Sequence, residues 1–405
     1  MTAFSKADIL LPKLGREGME KWSVVACDQY TGEPEYWKRT ADMVGNAPSA
    51  LRLILPEVYL EEPDCEKRIQ NINTAMSEYL NSGLFAEYKN CFILTKRTQA
   101  DGRLRAGLVG CIDLEMYDYN KGSKSQVRAT EATVKSRIPP RVKIRMNAPL
   151  ELPHIMILID DPENTVIEPL LDRELTTVYD FELMQGGGHL SGALVNGENA
   201  DCVLAALDAL LEKSADGLLF AMGDGNHSLA TAKECYEQKK RANSPDTELA
   251  RYALVEIVNL HSPALEFEAI HRVVNGVNPD ELIRKMTEEL GLSDSAEQSF
   301  TAIINGSERS FGITKPTSNL TVGSLQTFLD KHLAENGGKI DYIHGEDVVR
   351  SLCKEPDTIG FLLPSMTKDE LFPTVIKDGA LPRKTFSMGH ANDKRFYCEA
   401  RRITT

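Results

Sequence analysis

The sequence has no long apolar run. Nowhere in its 405 residues do about 18 apolar residues follow one another, so no transmembrane helix is expected. The amino-terminal stretch MTAFSKADILLPKLGREGMEKW lacks both a long apolar core and a small-residue cleavage site, which argues against a signal peptide. These two absences make the cytoplasm the expected compartment.

Paired cysteine motifs are also missing. Eight cysteines are scattered along the chain, without a C-x-x-C pair and without a His/Cys cluster at zinc spacing. We therefore expect most of them to be small core residues in a reducing compartment. Cys27, next to Asp28, is the only one near a candidate site.

Excess positive charge is absent from the chain as a whole. The net charge of −14 argues against nucleic acid as a partner, and there is no helix-turn-helix pattern. Residues 121–145 depart from this, because they hold eight Lys or Arg and one acid, Glu131. A short basic strip in an acidic chain suits a small anion.

Glu131 should be ionised among these cations, and it could act as a base or as a metal ligand. If the strip is extended, Arg141, Lys143 and Arg145 share one face and could meet an anion. The alternative is a solvated edge strand whose cations suppress aggregation.

Hydrophobic periodicity predicts a mixed α/β fold. Helical spacing covers residues 66–80 and 200–213, and apolar runs at 154–160 and 251–260 are typical of buried strands. A hairpin is expected around Asp101-Gly102. A helix is expected to begin after Asn278-Pro279 and to end near Gly291, and the last third of the chain alternates helices and strands.

The length allows two or three lobes, although a single elaborate domain is an alternative. Residues 241–249 are the only soft boundary in the chain. We therefore treat residues 1–405 as one unit, with a lobe 1–245 for the anion or nucleotide site and a carboxyl-terminal α/β lobe 250–405 as its expected subdivision.

The most informative segment is LLFAMGDGNHSLATAKECYE, residues 218–237. It runs from an apolar strand-like stretch, through a glycine-flanked aspartate, into an amphipathic helix. At the carboxyl end of a strand and the amino end of a helix, unpaired N–H groups and the helix dipole favour an anion. Gly223 and Gly225 would let the backbone turn tightly and approach a ligand.

Asp224 is unusual in such a turn, because its charge would repel a phosphate. It could instead bind Mg²⁺ or accept a proton from a hydroxyl group, and His227 could donate to a phosphate oxygen. Asn226 and Ser228 belong to the same candidate phosphate site. The structural alternative is that Asp224 or Asn226 caps the helix while His227 packs.

Three further segments are weaker candidates. The loop QGGGH at 185–189 could close over a ligand, although a plain turn is favoured. Arg272, next to His271 after an apolar strand, could grip a carboxylate with two hydrogen bonds, or could belong to a buried structural ion pair. Lys384 lies in a basic turn, LPRKT, that could bind an anion.

In their order along the chain, several stretches together resemble the domain-of-unknown-function 1015 family. They are RLILPE at 52–57, RATEATVKSRIPPR at 128–141, ILIDDPE at 157–163, MGDGNHSLATA at 222–232, VNLHSPALEFEAIHRVV at 258–274 and LPRKTF at 381–386.

The chain resembles a divergent subgroup of this family. Much of the family has D-G-H-H-R at the central turn, where this chain has D-G-N-H-S at 224–228. A His-Glu-Lys-Thr pattern of the family corresponds here to residues 130–133, in which Glu131 and Thr133 match but the His and Lys do not. Arg141 matches as well. Any grip on phosphate must therefore differ from that of the family.

The D-G-H-H-R turn is similar to one in the ParB/sulfiredoxin superfamily, which includes nucleotide-binding proteins and a free-serine kinase. The resemblance implies a ParB/sulfiredoxin-like core with additional mixed α/β elaborations. It also implies phosphoryl transfer between ATP or ADP and free serine, with Mg²⁺ as cofactor. The partners would be a small substrate and a nucleotide, without nucleic acid or membrane, and a homo-oligomer is left open.

Under this hypothesis Asp224, Glu131 and His227 are catalytic, and Asp224 or Glu131 holds Mg²⁺. The phosphate or nucleotide would be bound by Gly223, Gly225, Asn226, Ser228, Arg141 and Lys384, and the substrate by Arg272, His271 and Thr133. The alternatives are a phosphoserine phosphatase with water as acceptor, and a nucleotide- or metabolite-binding regulator without turnover.

Overall fold

The computed structural model describes residues 1–405. The strands, in chain order, are β1 (Phe4–Ser5), β2 (Ala7–Pro12), β3 (Phe85–Thr98), β4 (Leu104–Asp113), β5 (Tyr117–Asp118), β6 (Val127–Arg128), β7 (Leu150–Glu151), β8 (Met156–Ile159), β9 (Thr176–Leu183), β10 (Gly188–Val195), β11 (Phe220–Asp224), β12 (Tyr252–Asn259), β13 (Phe267–Ala269), β14 (His271–Asn275), β15 (Leu292–Ser293), β16 (Gln298–Ile304), β17 (Ser307–Ile313), β18 (Lys339–Ile343), β19 (Thr358–Leu362), β20 (Phe386–Met388) and β21 (Arg401–Arg402).

The α-helices are α1 (Arg16–Trp22), α2 (Pro34–Val44), α3 (Cys65–Asn81), α4 (Ile138–Met146), α5 (Gly197–Lys213), α6 (Asn226–Arg241), α7 (Thr247–Ala250), α8 (Pro279–Leu290), α9 (Thr321–Asn336), α10 (Glu346–Leu352) and α11 (Lys368–Asp378). None of them is both long and apolar enough to span a bilayer. The mixed α/β class expected from the sequence is therefore confirmed.

The chain folds into two compact units. The first comprises Met1–Leu265 and His390–Thr405, and the second comprises Glu266–Gly389. The soft boundary expected at 241–249 lies inside the first unit, where it runs from the end of α6 into α7. The last sixteen residues, which were expected in a carboxyl-terminal lobe, return to the first unit.

The first unit is built on an eleven-stranded sheet with the order β5-β6-β11-β8-β12-β4-β3-β10-β9, to which β1 and β2 add alongside β4 and β3. Successive side chains of a strand point to opposite faces, so a central strand feeds two cores. On β3, Phe92 and Leu94 join one apolar cluster and Ile93 joins the other. The sheet is therefore buried on both faces, as its apolar strands predict.

The second unit contains a six-stranded sheet with the order β15-β17-β16-β19-β14-β18, and β13 pairs separately with β20. Helix α8 begins as its sequence predicts, because the Asn278 side chain accepts a hydrogen bond from the backbone N–H of Glu281. It ends at Gly291, which has a left-handed backbone with φ +63°.

Several further predictions are confirmed. Residues 218–237 form a strand, a turn and a helix, β11 and α6, and β3 and β4 form the hairpin around Asp101-Gly102. The QGGGH segment is a turn between the antiparallel strands β9 and β10.

The basic strip differs most from its predicted structure. Residues 138–146 form helix α4 and not an extended edge strand. Pro139 and Pro140 are tolerated because they occupy the first turn, where a missing N–H breaks no helical hydrogen bond. In a helix, Arg141 and Arg145 lie one turn apart on one face, and Lys143 points elsewhere.

Candidate functional site

The central turn has the conformation that its glycines permit. Gly223 forms a bulge where β11 pairs with β8, and Gly225 is left-handed with φ +80°. A β-carbon at Gly225 would lie 3.1 Å from the α-carbon of Ile155, so a larger residue would be crowded as well as strained. No side chain caps α6, so the structural alternative in which Asp224 or Asn226 caps the helix is wrong. The first N–H groups of the helix are left for a ligand or water.

Asp224 is paired with a lysine from the far end of the chain. The Lys394 Nζ lies 3.1 Å from the Asp224 Oδ2, and a quarter of the Asp224 side chain is exposed. Burial alone would raise the pKa of this carboxyl, but the ion pair and hydrogen bond with Lys394, together with nearby His154, outweigh it and hold the pKa below its usual range. Asp224 is therefore an ionised carboxylate at neutral pH.

Two buried arginines hold the segment that carries Lys394. Arg97 donates to the carbonyl oxygens of Asn392, at 2.7 Å, and Lys394, at 3.3 Å. Arg105 donates to the carbonyl of Asp393 at 2.8 Å. Both arginines are almost fully buried, on the neighbouring strands β3 and β4. The lysine is thus positioned by the central sheet.

The basic strip reaches the turn through a parallel strand pair. Phe220 of β11 is paired with Val127 of β6. Beyond this pair, the Thr130 hydroxyl donates to the carbonyl of Met222 at 2.8 Å. The chain at Glu131 is therefore level with the end of β11, and the Glu131 backbone lies beside the turn that carries Asp224.

Two polar atoms near this strand end have no hydrogen-bond partner although they are buried. They are the Oγ1 of Thr133 and the Oδ1 of Asn226. Buried polar atoms are nearly always paired in folded proteins, so two orphans beside one turn are typical of a site that receives a polar ligand.

His227 is neutral at pH 7. Burial, followed by the charges of Arg141 and Arg137, lowers its pKa to about 4. Its Nε2 accepts a long hydrogen bond, 3.4 Å, from the N–H of Val134. With Nε2 as acceptor, Nδ1 carries the proton, so His227 can donate a hydrogen bond without bringing a charge.

Ser228 belongs to a chain of hydrogen bonds that the sequence does not predict. Its Oγ lies 2.9 Å from the Nε2 of His154, and the Nδ1 of His154 lies 2.7 Å from the hydroxyl of Tyr397. The Tyr397 oxygen also accepts from the N–H of Cys27 at 3.1 Å. Burial, then the Asp28 charge, raises the pKa of the Cys27 thiol, so Cys27 is not a reactive thiolate.

The cations of α4 are already paired. The Nε of Arg141 donates to the Oε1 of Glu57 at 2.9 Å, and a second nitrogen contacts the same oxygen. Lys143 pairs with Glu66, and Arg145 pairs with Glu151. Arg141 therefore adds to the positive potential around His227, but its guanidinium group is already bound to the Glu57 carboxylate.

The remaining candidates lie in the second unit. Arg272 is fully buried, and it donates to the carbonyl oxygens of Lys384, at 2.8 Å, and Arg383, at 3.2 Å. The Nδ1 of His271 accepts from the N–H of Leu363 at 3.1 Å. Lys384 is exposed in a left-handed turn with φ +57°. Arg272 holds this turn through the two carbonyl groups.

No group of three or more His, Cys, Asp or Glu side chains is arranged to hold a metal ion. Mg²⁺ usually has only one or two carboxylate ligands and takes the rest from water and phosphate. Asp224 at the strand end provides one such carboxylate.

Sequence reasoning missed Lys394, His154 and Tyr397. Strand pairing explains why His154, which comes just before β8, lies near the turn after β11. β8 is antiparallel to β11, and Met156 is opposite Asp224, so the beginning of β8 meets the end of β11. The sequence shows β8 as a buried strand but does not show which end faces the turn.

A family model described as "Protein of unknown function (DUF1015)" matches residues 12–332. No curated protein matches the chain.

Solved structures similar to this chain include a conserved hypothetical protein from Pyrococcus furiosus, with 11% identity and a TM-score of 0.37 over 73% of this chain and 94% of that one. A free serine kinase variant in complex with ADP has 12% identity and a TM-score of 0.40 over 72% and 91%. SbnI from Staphylococcus aureus, truncated at its carboxyl terminus, has 9% identity and a TM-score of 0.38 over 69% and 82%.

Proposed function

The chain belongs to the DUF1015 family of proteins of unknown function, and we propose that it transfers a phosphoryl group between a nucleotide and a small hydroxyl compound, free serine. One observation carries the proposal. An ionised aspartate, Asp224, and its lysine partner lie at the uncapped amino end of α6. The backbone of a second acidic residue, Glu131, lies beside this turn. Serine as the acceptor rests on the family resemblance alone.

Phosphoryl transfer depends mainly on positioning and on charge neutralisation. The free N–H groups of α6 and the neutral His227 would hold phosphate oxygens, and Lys394 would neutralise charge that develops on them. Asp224 would accept the proton of the serine hydroxyl as the serine oxygen bonds to the terminal phosphorus of the nucleotide. The bond from that phosphorus to the bridging oxygen breaks, and ADP leaves from ATP, or AMP from ADP. The orphan Oγ1 of Thr133 and Oδ1 of Asn226 would orient the substrate.

Mg²⁺ fits this strand end, because Asp224 supplies a hard oxygen ligand of the kind that this ion prefers. Glu131, whose backbone lies beside the turn, is our proposed second ligand. When bound, it would neutralise the phosphate oxygens of the nucleotide. Lys394 would then exchange part of its contact with Asp224 for the phosphate.

The test is ³¹P NMR of the purified protein with Mg²⁺. One sample contains serine with ATP or ADP, and another contains phosphoserine with and without nucleotide. We expect phosphoserine to form from serine and nucleotide. Free phosphate from phosphoserine without nucleotide would instead establish a phosphatase, and no reaction in any sample would contradict both.

Asp224→Asn keeps the shape of the side chain but removes the base, so it should lower the rate by about 10²–10⁴. Asp201→Asn is the matched control, because the Asp201 side chain is 68% exposed and pairs only with Lys6 at the surface. Full activity in Asp224→Asn would remove Asp224 from the mechanism.

A further inference from the structure

Beside the central turn, the first unit contains a cavity of about 150 Å³. Its wall is mainly aliphatic, with Leu53, Leu60, Met76, Ile144, Leu150 and Leu152 among its residues. Leu60, Ile144 and Leu152 are only partly buried, so the wall reaches the protein surface. Protein interiors are close-packed, and voids larger than a water molecule are few. A lined space of this size is therefore a candidate ligand site.

The polar groups of the cavity lie together. Ser228, His154 and Tyr397 line it and form the hydrogen-bonded chain described above. Each hydroxyl oxygen keeps hydrogen-bonding capacity beyond its bond to His154. These groups can therefore form a hydrogen bond with one hydroxyl group of a ligand.

The charged groups of the wall are matched in pairs. Arg141 is bound by Glu57, and Arg145 is bound by Glu151. The wall therefore carries two arginines and two glutamates, and its own charges sum to zero; Glu151 also pairs with Arg401, which does not line the cavity. A ligand without net charge suits such a wall better than an ion. Serine, which is a zwitterion without an apolar group, does not suit this wall.

We propose that this cavity binds a small uncharged alcohol that carries a benzene-sized apolar group. The size follows from volume, because an apolar protein cavity of about 150 Å³ is known to take up benzene. The apolar group would pack among the leucines, and the hydroxyl group would bond to Ser228. The site would be separate from the proposed phosphoryl transfer to serine, and either could exist without the other.

The test uses benzyl alcohol and the protein labelled with ¹³C at its methionine methyl groups. Met76 lines the cavity, and its resonance can be assigned with the volume-conserving variant Met76→Leu. We expect benzyl alcohol to shift the Met76 resonance saturably. Met19, buried in the core but outside the cavity wall, and Met286, buried in the second unit, should not respond.

Leu152→Trp should fill the cavity and abolish the Met76 shift. Leu104→Trp is the control for adding a tryptophan, because Leu104 is 44% exposed and does not line the cavity. Ser228→Ala should weaken benzyl alcohol binding about fivefold, the usual effect of one hydrogen bond, and leave toluene binding unchanged.

Three outcomes would overturn the inference: no Met76 shift up to the solubility limit, an unchanged shift in Leu152→Trp, or a Met76 shift with ADP alone that blocks benzyl alcohol. The last would make the cavity a subsite for the nucleotide base. The ³¹P assay is read separately, so phosphoserine formation without a Met76 shift rejects this inference alone. A Met76 shift without phosphoryl transfer rejects only the proposed function.

Discussion

The ammonium nitrogen of Lys394 lies 3.1 Å from the Oδ2 of Asp224. The lysine comes from the short terminal segment that returns to the first unit, and Arg97 and Arg105 hold that segment by its carbonyl groups. A partly buried carboxylate is thereby kept ionised at the start of α6. The electrostatics of the turn are consequently set by residues distant in sequence.

Lys394→Met should leave this carboxylate without its partner. Burial raises the pKa of Asp224, and without Lys394 less would oppose this effect, so the pKa should rise. The acidic limb of the pH–rate profile should then move to higher pH by about one unit or more. Unfolding free energy should fall by about 1–3 kcal/mol, because an unpaired buried charge is unfavourable.

Urea denaturation and the pH–rate profile measure these two effects. Lys213→Met is the control, since Lys213 and its partner Glu163 are 68% and 72% exposed and such pairs contribute about 0–1 kcal/mol. An unmoved acidic limb in Lys394→Met would show that the ion pair does not set the charge of Asp224.

Gly225→Ala should destabilise the protein more than Gly217→Ala. Both glycines are left-handed, with φ +80° and φ +67°, so both substitutions incur the left-handed penalty of about 1–2 kcal/mol. Only at Gly225 would the added β-carbon meet backbone, 3.1 Å from the Ile155 α-carbon, whereas Gly217 has open space. Thermal unfolding of the two variants measures the difference, and equal losses would contradict the close approach.

His227 should make stability depend on pH between about 4 and 6.5. Its pKa is lowered from 6.5 to about 4 in the fold, so the unfolded chain binds the proton more readily within this window. Stability should therefore be fully present above pH 6.5 and should decline as the pH falls toward 4. Because the ring is only partly buried, we expect a loss of roughly 1–2 kcal/mol.

Urea titrations at pH 7 and pH 4.5 test this dependence. In His227→Gln the contribution of this ring is gone, so the difference between the two pH values should shrink by that amount. The same difference in both proteins would show that His227 titrates normally in the fold.

Tyr397→Phe should lower the unfolding free energy by about 1–3 kcal/mol. The substitution leaves the Nδ1 of His154 and the N–H of Cys27 without their buried partner, and unsatisfied buried groups are unfavourable. Tyr119→Phe, which removes a half-buried hydroxyl that contacts neither group, should change stability by less than about 0.5 kcal/mol. Similar losses in both variants would argue against the hydrogen-bond chain.

Local patterns were sufficient for much of the fold. Apolar periodicity and turn residues correctly predicted α3, α5, α8, the hairpin of β3 and β4, and the strand–turn–helix around Asp224. The same reasoning failed for α4, because the alternation of Arg141, Lys143 and Arg145 resembled a strand. Spacing in so short and polar a segment does not distinguish a helix from a strand, and the glutamates that pair with it come from elsewhere in the chain.

The sequence by itself determined that a glycine-flanked aspartate stands between a strand and a helix, because strand pattern, glycine and helix pattern are contiguous. Only the tertiary structure decided that Lys394 neutralises this aspartate, that His154 and Tyr397 reach Ser228, and that a cavity opens beside them. Those relationships depend on the antiparallel pairing of β8 with β11 and on the return of the terminal segment. Contacts between residues distant in the chain follow from how elements pack, and packing is not encoded in the periodicity of any one segment.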